Sequence, residues 1–415
     1  MQAEILATGD ELRSGALVDS NSAYIAERLE ETGIRVTRHT TVGDDLDELV
    51  RLFNEAGGRV DIVIVTGGLG PTQDDLSRDA AARAVGTGLF LDKTSLTEIE
   101  SFFSSRQRSM PPTNRRQAMF PEGAEVLPNP VGTAPGFALK IGRAVFFFLP
   151  GVPPEMKKML AEQVLPRIRA MIRDDHCYRT ATITTFGIGE SALEEKVEEF
   201  YSLYPEIKLG FRAHFPEVQI KLYLKDKSEA GLDRQQGTAV DWLKEKLAHK
   251  IVSLEGKSLP RVVGDLLLER QATLAVAESC TGGLIADLLT DRPGSSGFFL
   301  LSAVTYANTA KERILGVPAA ILEKEGAVSK ACVAAMAAGI RERAGATFGL
   351  ATSGIAGPDG GTPEKPVGTI CIGLAGPDGV ETRKYLFPFR QRLYNKKLFA
   401  AQALNRLRLK LTGRH

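Results

Sequence analysis

Residues 61–66 read DIVIVT, a continuous β-branched run that ends directly in a glycine-rich turn, TGGLGPTQDD at 66–75. A run with no polar alternation cannot leave one face in water. It suits the interior of a parallel sheet covered on both faces. Parallel strands need crossover connections, so the flanking segments are constrained to carry helices. They do: the pattern predicts strands at 4–8 and 36–42 and helices over 20–32 and 46–56. The longest apolar run, 144–149, has strand length and is too short for a membrane helix. The region closes on a Pro-Pro turn and a helix from Glu155 to about Arg173.

The texture then changes. Residues 179–186 and the alternating stretches 207–212 and 218–224 predict strands, with helices over 191–200 and 232–249. Alternation returns after 257: helix 259–269, strand 273–277, helix 282–290, a strand within 298–306, helix 330–344, strands 348–353 and 368–374, and a basic helix 394–411. The fold class expected is therefore α/β multidomain, with an α/β domain over 1–172, a small α+β module over 175–252 and an α/β domain over 257–415. With 415 residues, each part can bury its own core. The 52 Lys+Arg against 51 Asp+Glu leave no electrostatic footprint for nucleic acid. The acidic start at Met1 lacks the pattern of a secretory signal, and the four dispersed cysteines form no C-x-x-C pair. The expectation is a cytoplasmic protein without membrane or direct nucleic-acid contacts.

Three glycine turns in the first region follow strands: TGDEL at 8–12, the 66–75 turn, and NPVGTAPG at 129–136. Ligands of open α/β sheets sit over such turns, where backbone N–H groups can approach a phosphate. One such turn is more often a tight connection. Three, with acids in two, favour nucleotide or pterin-phosphate binding. Asp74 and Asp75 would repel a polyphosphate unless a divalent cation lay between. In the middle module, Gly187 and Gly189 are too closely spaced, and followed by Glu190, to be a G-x-x-G nucleic-acid clamp.

The sharpest signal is AESCTGG at 277–283, after a strand and at a predicted helix start. It places Ser279 or Cys280 where helix N–H groups can hold an oxyanion; composition does not choose between the two. Lys311 can act as base for a serine if desolvated, and Tyr306 can orient the proton. No histidine other than His415 lies in this region, so hydrolysis here would need a lysine-based dyad. The 352–361 turn and Arg392 can cup a phosphate.

These motifs resemble those of the CinA family along the whole chain: TGDELRSG, DSN, TGGLGPTQDD, NPVGTAPG and LPGVPPEM, then AESCTGG, VTYANTAKERILGV at 304–317 and SGIAGPDGGTPEKPVGT at 353–369. The resemblance implies a bifunctional, cytoplasmic homodimer of pyridine-nucleotide recycling. The N-terminal molybdopterin-binding-like domain would cleave ADP-ribose to AMP and ribose 5-phosphate with a divalent metal ion (Mg, Mn or Co). The middle module would be KH-like. The C-terminal domain would deamidate nicotinamide mononucleotide (NMN) to nicotinic acid mononucleotide and ammonia, without a cofactor.

Carried over, Ser279 is the nucleophile, Lys311 the base and Tyr306 its helper. Cys280, Thr281, Gly282, Gly283, Ser353, Gly354 and Arg392 would surround the nucleotide. Gly67, Gly68, Gly70, Asn129, Gly132 and Thr133 would bind substrate in the first domain. Asp10, Asp44, Asp74 and Asp75 are its candidate metal ligands. The chain departs from the family near its end, with Arg390-Gln391 in place of Gly-Asp and Lys396 in place of a second arginine. A non-catalytic ligand-binding N-terminal domain, or a competence or DNA-repair accessory role, are the alternatives.

Overall fold

The computed structural model describes residues 1–172, 176–387 and 389–413; the expected helix end at Arg173 and the domain edges at 175 and 415 lie outside the described residues. The chain divides into two compact units, Met1–Arg179 and Thr180–His415.

In the first unit, strands β1 (Gln2–Thr8), β2 (Arg35–Val42), β3 (Ile62–Thr66), β4 (Leu89–Leu91), β5 (Met119–Pro121), β6 (Glu125–Leu127), β7 (Gly136–Ile141) and β8 (Ala144–Leu149) form a six-stranded sheet, β2-β1-β3-β8-β7-β6, plus the small pair β4-β5. The four strands β2, β1, β3 and β8 run parallel, and β7 and β6 are added antiparallel. All five residues of β3 are buried, as its unbroken apolar run requires. Their alternation divides two cores. Val63 and Val65 join Leu49, Phe53, Phe146 and Phe148 on one face. Ile62 and Ile64 join Ile25, Leu29, Phe147 and Met156 on the other.

The closing helix begins at Pro153 and continues to Met171 through a π segment, Leu160–Val164. Pro166 follows that segment. Proline offers no N–H and crowds the carbonyl four residues back, and one widened turn accommodates both.

β9 (Cys177–Phe186) begins three residues before the second unit, and with β10 (Lys208–His214), β11 (Glu217–Asp226) and β12 (Ile251–Ser253) it forms the sheet β10-β11-β9-β12. The acidic helix expected over 191–200 is two pieces, Glu190–Lys196 and Phe200–Leu203. Then β13 (Leu274–Glu278), β14 (Phe299–Val304), β15 (Phe348–Gly354), β16 (Thr369–Gly376) and β17 (Gly379–Leu386) form the sheet β14-β13-β15-β16-β17. β13 is parallel to both neighbours and fully buried. Leu274 and Val276 face a core shared with helices Leu259–Glu269 and Arg392–Leu411, and with Phe186 and Val252 of the preceding module. Ala275 and Ala277 face helix Lys330–Ala344. Among the described residues, no helix is long and apolar enough to cross a membrane.

Candidate functional site

Two parallel strands assemble the C-terminal site. The register pairs Glu278 with Val304, and the Thr305 N–H donates to the Glu278 carbonyl at 2.8 Å. The residues just past the two strand ends, Ser279 and Thr305, are thus neighbours although 26 apart in sequence. Helix Asn308–Leu315 then turns Lys311 back toward them. Lys311 is 1% exposed. Its Nζ lies 3.3 Å from Ser279 Oγ, 2.8 Å from the Thr305 carbonyl and 3.0 Å from the Tyr306 carbonyl. No carboxylate pairs with it among the described residues. Burial pushes its pKa below the ordinary lysine value, against a smaller upward pull from Cys332 and Cys280. Ser279 is half-buried, and its N–H donates to the Thr352 carbonyl at the end of β15.

Cys280 is a different group. It packs into the apolar core at 5% exposure, and burial pushes its thiol up to about 12. A thiol buried and held this far above its ordinary range is a poor nucleophile, so the geometry favours Ser279. Thr281 is buried with its hydroxyl 2.8 Å from that of Thr352, a bond that ties the turn to β15.

Several expectations need correction. The helix begins at Leu284, not Gly282, and Gly282 and Gly283 precede it at φ +63° and +94°, a left-handed turn open to glycine. Ser279 and Cys280 therefore do not sit on a helix N-terminus. Its amides are also engaged: the fully buried Glu278 carboxylate accepts from Gly283 N at 3.0 Å, Ile285 N at 3.1 Å and Ala286 N at 3.0 Å. The backbone amides of Cys280 and Thr281 have no acceptor in another residue among those described. Ser353 and Gly354 are the last rungs of β15, paired with Cys371 and Ile370, and precede the turn that was expected to hold them.

The Tyr306 side chain is 60% exposed, and its hydroxyl accepts from Arg392 Nη2 at 3.0 Å. It makes no hydrogen bond to Ser279 or Lys311; only its carbonyl reaches the lysine. Arg392 also donates to the Gly357 carbonyl at 2.9 Å. Lys396 places its Nζ beside Gly282, 3.4 Å from where a Cβ would stand. The buried Asn395 fastens this segment by donating to the Ala356 and Phe389 carbonyls.

In the first unit, a cavity of ≈ 520 Å³ opens over the carboxyl ends of β1 and β3. Gly67, Gly68, Gly70, Thr133, Asp44, Asp74 and Asp75 line it, as do Asn21 and Glu155, which the sequence reading did not single out. Asp75 turns into the glycine loop. Its carboxylate accepts from Gly70 N at 2.7 Å, Thr72 N at 2.8 Å and the Thr72 hydroxyl. Beneath the same loop, the fully buried Arg78 donates to the Leu69 carbonyl at 2.7 Å. Both residues brace the loop.

Asp44 accepts from the Asp10 N–H at 3.1 Å, and Asp10 itself pairs with Arg13 at 3.0 Å. Burial raises the Asp44 pKa, and the charges of Asp10, Glu11 and Asp74 add to the rise. Among the described residues, no three His, Cys, Asp or Glu side chains stand together as a metal-holding group. Of the four candidate ligands, Asp44, Asp74 and Asp75 line the cavity and Asp10 does not. Asn129 is occupied with Glu155 and with its own loop: its amide donates to Glu155 Oε2 at 2.7 Å, while its Oδ1 accepts from the Val131 and Gly132 N–H groups.

Comparison with known proteins follows the same three-part division. Residues 4–170 match the family described as "Probable molybdopterin binding domain". Residues 180–252 match "Damage-inducible protein CinA KH domain", and residues 256–411 match "CinA C-terminal domain". A CinA-like protein of Desulfosudis oleivorans is 50% identical over 99% of this chain and 100% of its own length. One of Desulforapulum autotrophicum is 44% identical over 99% and 98%. The solved structure of competence/damage inducible protein CihA from Agrobacterium tumefaciens is 37% identical over 37% of this chain and 93% of its own, with a TM-score of 0.36. The end-to-end identity and the ordered run of three matched domains place this chain in the CinA family.

Proposed function

We propose that the C-terminal site is a serine–lysine amidohydrolase acting on NMN, releasing ammonia and nicotinic acid mononucleotide. The observation that carries this reading is the environment of Lys311. Its three polar neighbours are two carbonyls, which only accept, and one hydroxyl, which can donate. A neutral amine has two N–H bonds and one lone pair. An ammonium would donate to all three; in the neutral amine that burial favours, the two N–H groups match the carbonyls and the lone pair is left for the Ser279 hydroxyl.

Ser279 Oγ attacks the carboxamide carbon as its proton passes to Lys311. The amides of Cys280 and Thr281 are the donors available to the oxyanion. Lys311 returns the proton to the departing amine, the C–N bond breaks, and ammonia leaves an ester on Ser279. Water, deprotonated by the now neutral Lys311, cleaves that ester and frees the acid. Arg392, with Tyr306, and Lys396 beside Gly282 supply positive charge for the nucleotide phosphate. Ammonia release from NMN is measured for wild type, Ser279→Ala and Cys280→Ala. Loss in the first variant alone supports the assignment, and loss only in the second overturns it.

For the N-terminal cavity we infer a ligand of the nucleotide or pterin-phosphate class, with ADP-ribose as the proposed substrate. The support is a cavity at the carboxyl ends of parallel strands with a braced glycine loop in its wall. Asp44, Asp74 and Asp75 share the cavity wall without forming a three-acid cluster, so a divalent cation here would be held jointly by one or two of them and the ligand's phosphates. Titration with ADP-ribose, with magnesium or with chelator, and assay for AMP separates binding from cleavage. Absence of binding in both conditions overturns the reading.

A further inference from the structure

Glu155 belongs to the motif LPGVPPEM, yet neither the fold nor the proposed chemistry accounts for it. It is half-buried in the cavity wall, in the first turn of helix Pro153–Met159. It does not cap that helix. Among the described residues, its one hydrogen bond is the 2.7 Å contact from Asn129 Nδ2, and no Lys, Arg or His pairs with it. Asn129 is spent on holding it: the amide nitrogen also donates to the Ala134 carbonyl, and the amide oxygen takes two backbone N–H groups. The loop lies flat against the carboxylate, because Gly132 leaves no room for a Cβ beside Glu155 Cδ. A carboxylate brought to a cavity wall, fixed by an asparagine and left without a cation is an acceptor waiting for a donor.

A second observation points the same way. Two further polar atoms of the cavity wall are buried without partners, Thr8 Oγ1 and Asn21 Oδ1. Thr8 is 4% exposed and Asn21 8%. Asn21 spends its nitrogen on Thr66 Oγ1 at 3.1 Å and the Gly151 carbonyl at 2.7 Å, so its oxygen is left as an acceptor. The Thr8 hydroxyl can donate or accept, but the Asn21 oxygen only accepts, and an orphaned buried acceptor costs stability unless a ligand donor satisfies it. Phosphate satisfies neither the Asn21 oxygen nor Glu155, since it brings only more acceptors and negative charge. The part of the ligand that lies against Glu155 must carry N–H or O–H donors.

Resting on the nucleotide-class reading of this cavity, we propose that Glu155, oriented by Asn129, recognises the exocyclic amino edge of the ligand's heterocyclic base. An ionised carboxylate accepts from an amino group and an adjacent ring N–H, the edge of guanine and pterin. A protonated carboxyl accepts from an amino group and donates to an adjacent ring nitrogen, the edge of adenine. Burial raises the Glu155 pKa, against a smaller lowering by the Asn129 hydrogen bond.

The test is calorimetric titration of the full chain with AMP, GMP, neopterin monophosphate and ribose 5-phosphate, the last having no base. Wild type is compared with Glu155→Ala, Glu155→Gln and Asn129→Ala, each checked for an unchanged circular dichroism spectrum. Glu155→Ala is expected to weaken the base-bearing ligand about 10- to 100-fold, as loss of a bidentate pair implies, and to leave ribose 5-phosphate unchanged. Asn129→Ala moves in the same direction by less. Glu155→Gln keeps AMP affinity if the base is adenine, because the amide mimics the protonated acid, and loses GMP and neopterin affinity if it is guanine or pterin. Equal loss for ribose 5-phosphate, or no loss for any base, overturns the proposal while leaving the cavity reading standing. Failure of wild type to bind any of the four overturns both.

Discussion

Glu278→Gln tests how the nucleophile turn is built. The buried carboxylate accepts three backbone amides, two on Oε2 and one on Oε1. Glutamine keeps one oxygen, which can retain two of these bonds, now neutral. Its NH2 group meets the third amide donor to donor. Losing about 1 kcal/mol from each of two charge-assisted bonds and leaving one buried N–H unsatisfied costs roughly 3–5 kcal/mol. Relief from burying an anion returns part of this, leaving about 2–4 kcal/mol. For a unit of this size that is a fall of roughly 5–15 °C in melting temperature. Trp242 is the sole tryptophan and lies in the second unit, so its fluorescence follows that unit. Since Ser279 adjoins Glu278, kcat for NMN should fall about tenfold or more as the turn loses its position. A melt within about 2 °C of wild type, under one kcal/mol by the same scale, would refute the reasoning. So would a rise in kcat, the result expected if the helix amides were the oxyanion donors and Glu278 merely obstructed them.

Two further outcomes follow. Lys311→Met should lower kcat by at least about 10³-fold, yet melt above wild type at pH 7. The folded-state pKa of Lys311 is depressed, so the wild type carries a burial penalty below that pKa, and the penalty disappears as pH rises toward the unfolded value near 10.5. Melting curves across that window should show the advantage of the methionine variant shrinking, while wild-type turnover rises with pH as the amine becomes neutral. Asp75→Asn should loosen the 66–75 loop and weaken ADP-ribose binding equally with magnesium or chelator. A loss confined to magnesium would mark Asp75 as a metal ligand.

What could be read from sequence depended on how far each signal extends along the chain. β3 and β13 were legible because strands buried on both faces must be apolar at every position. β17 went unread: its sequence, GVETRKYL, lies at the sheet edge with most side chains in water. β7 was missed although Gly142-Arg143 joins it to β8 as a two-residue hairpin turn. Ser279 and Lys311 could be named, but their 3.3 Å approach depends on the parallel register of β13 and β14. The contacts the sequence could not show are those where a side chain chooses its partner. Glu278 takes the helix amides, Asp75 turns into its own loop, and Tyr306 reaches Arg392. Glu155 could not be found because its partner Asn129 is 26 residues away.

The central claim is covalent attack by Ser279. It is tested most directly by acid quench during NMN turnover, digestion, and mass spectrometry of the peptide carrying Ser279 and Cys280. The account predicts an added nicotinic acid mononucleotide acyl group on Ser279, retained in Cys280→Ser and absent in Ser279→Ala. The acyl group on Cys280, or ammonia release with no acylated peptide under any quench, would contradict it.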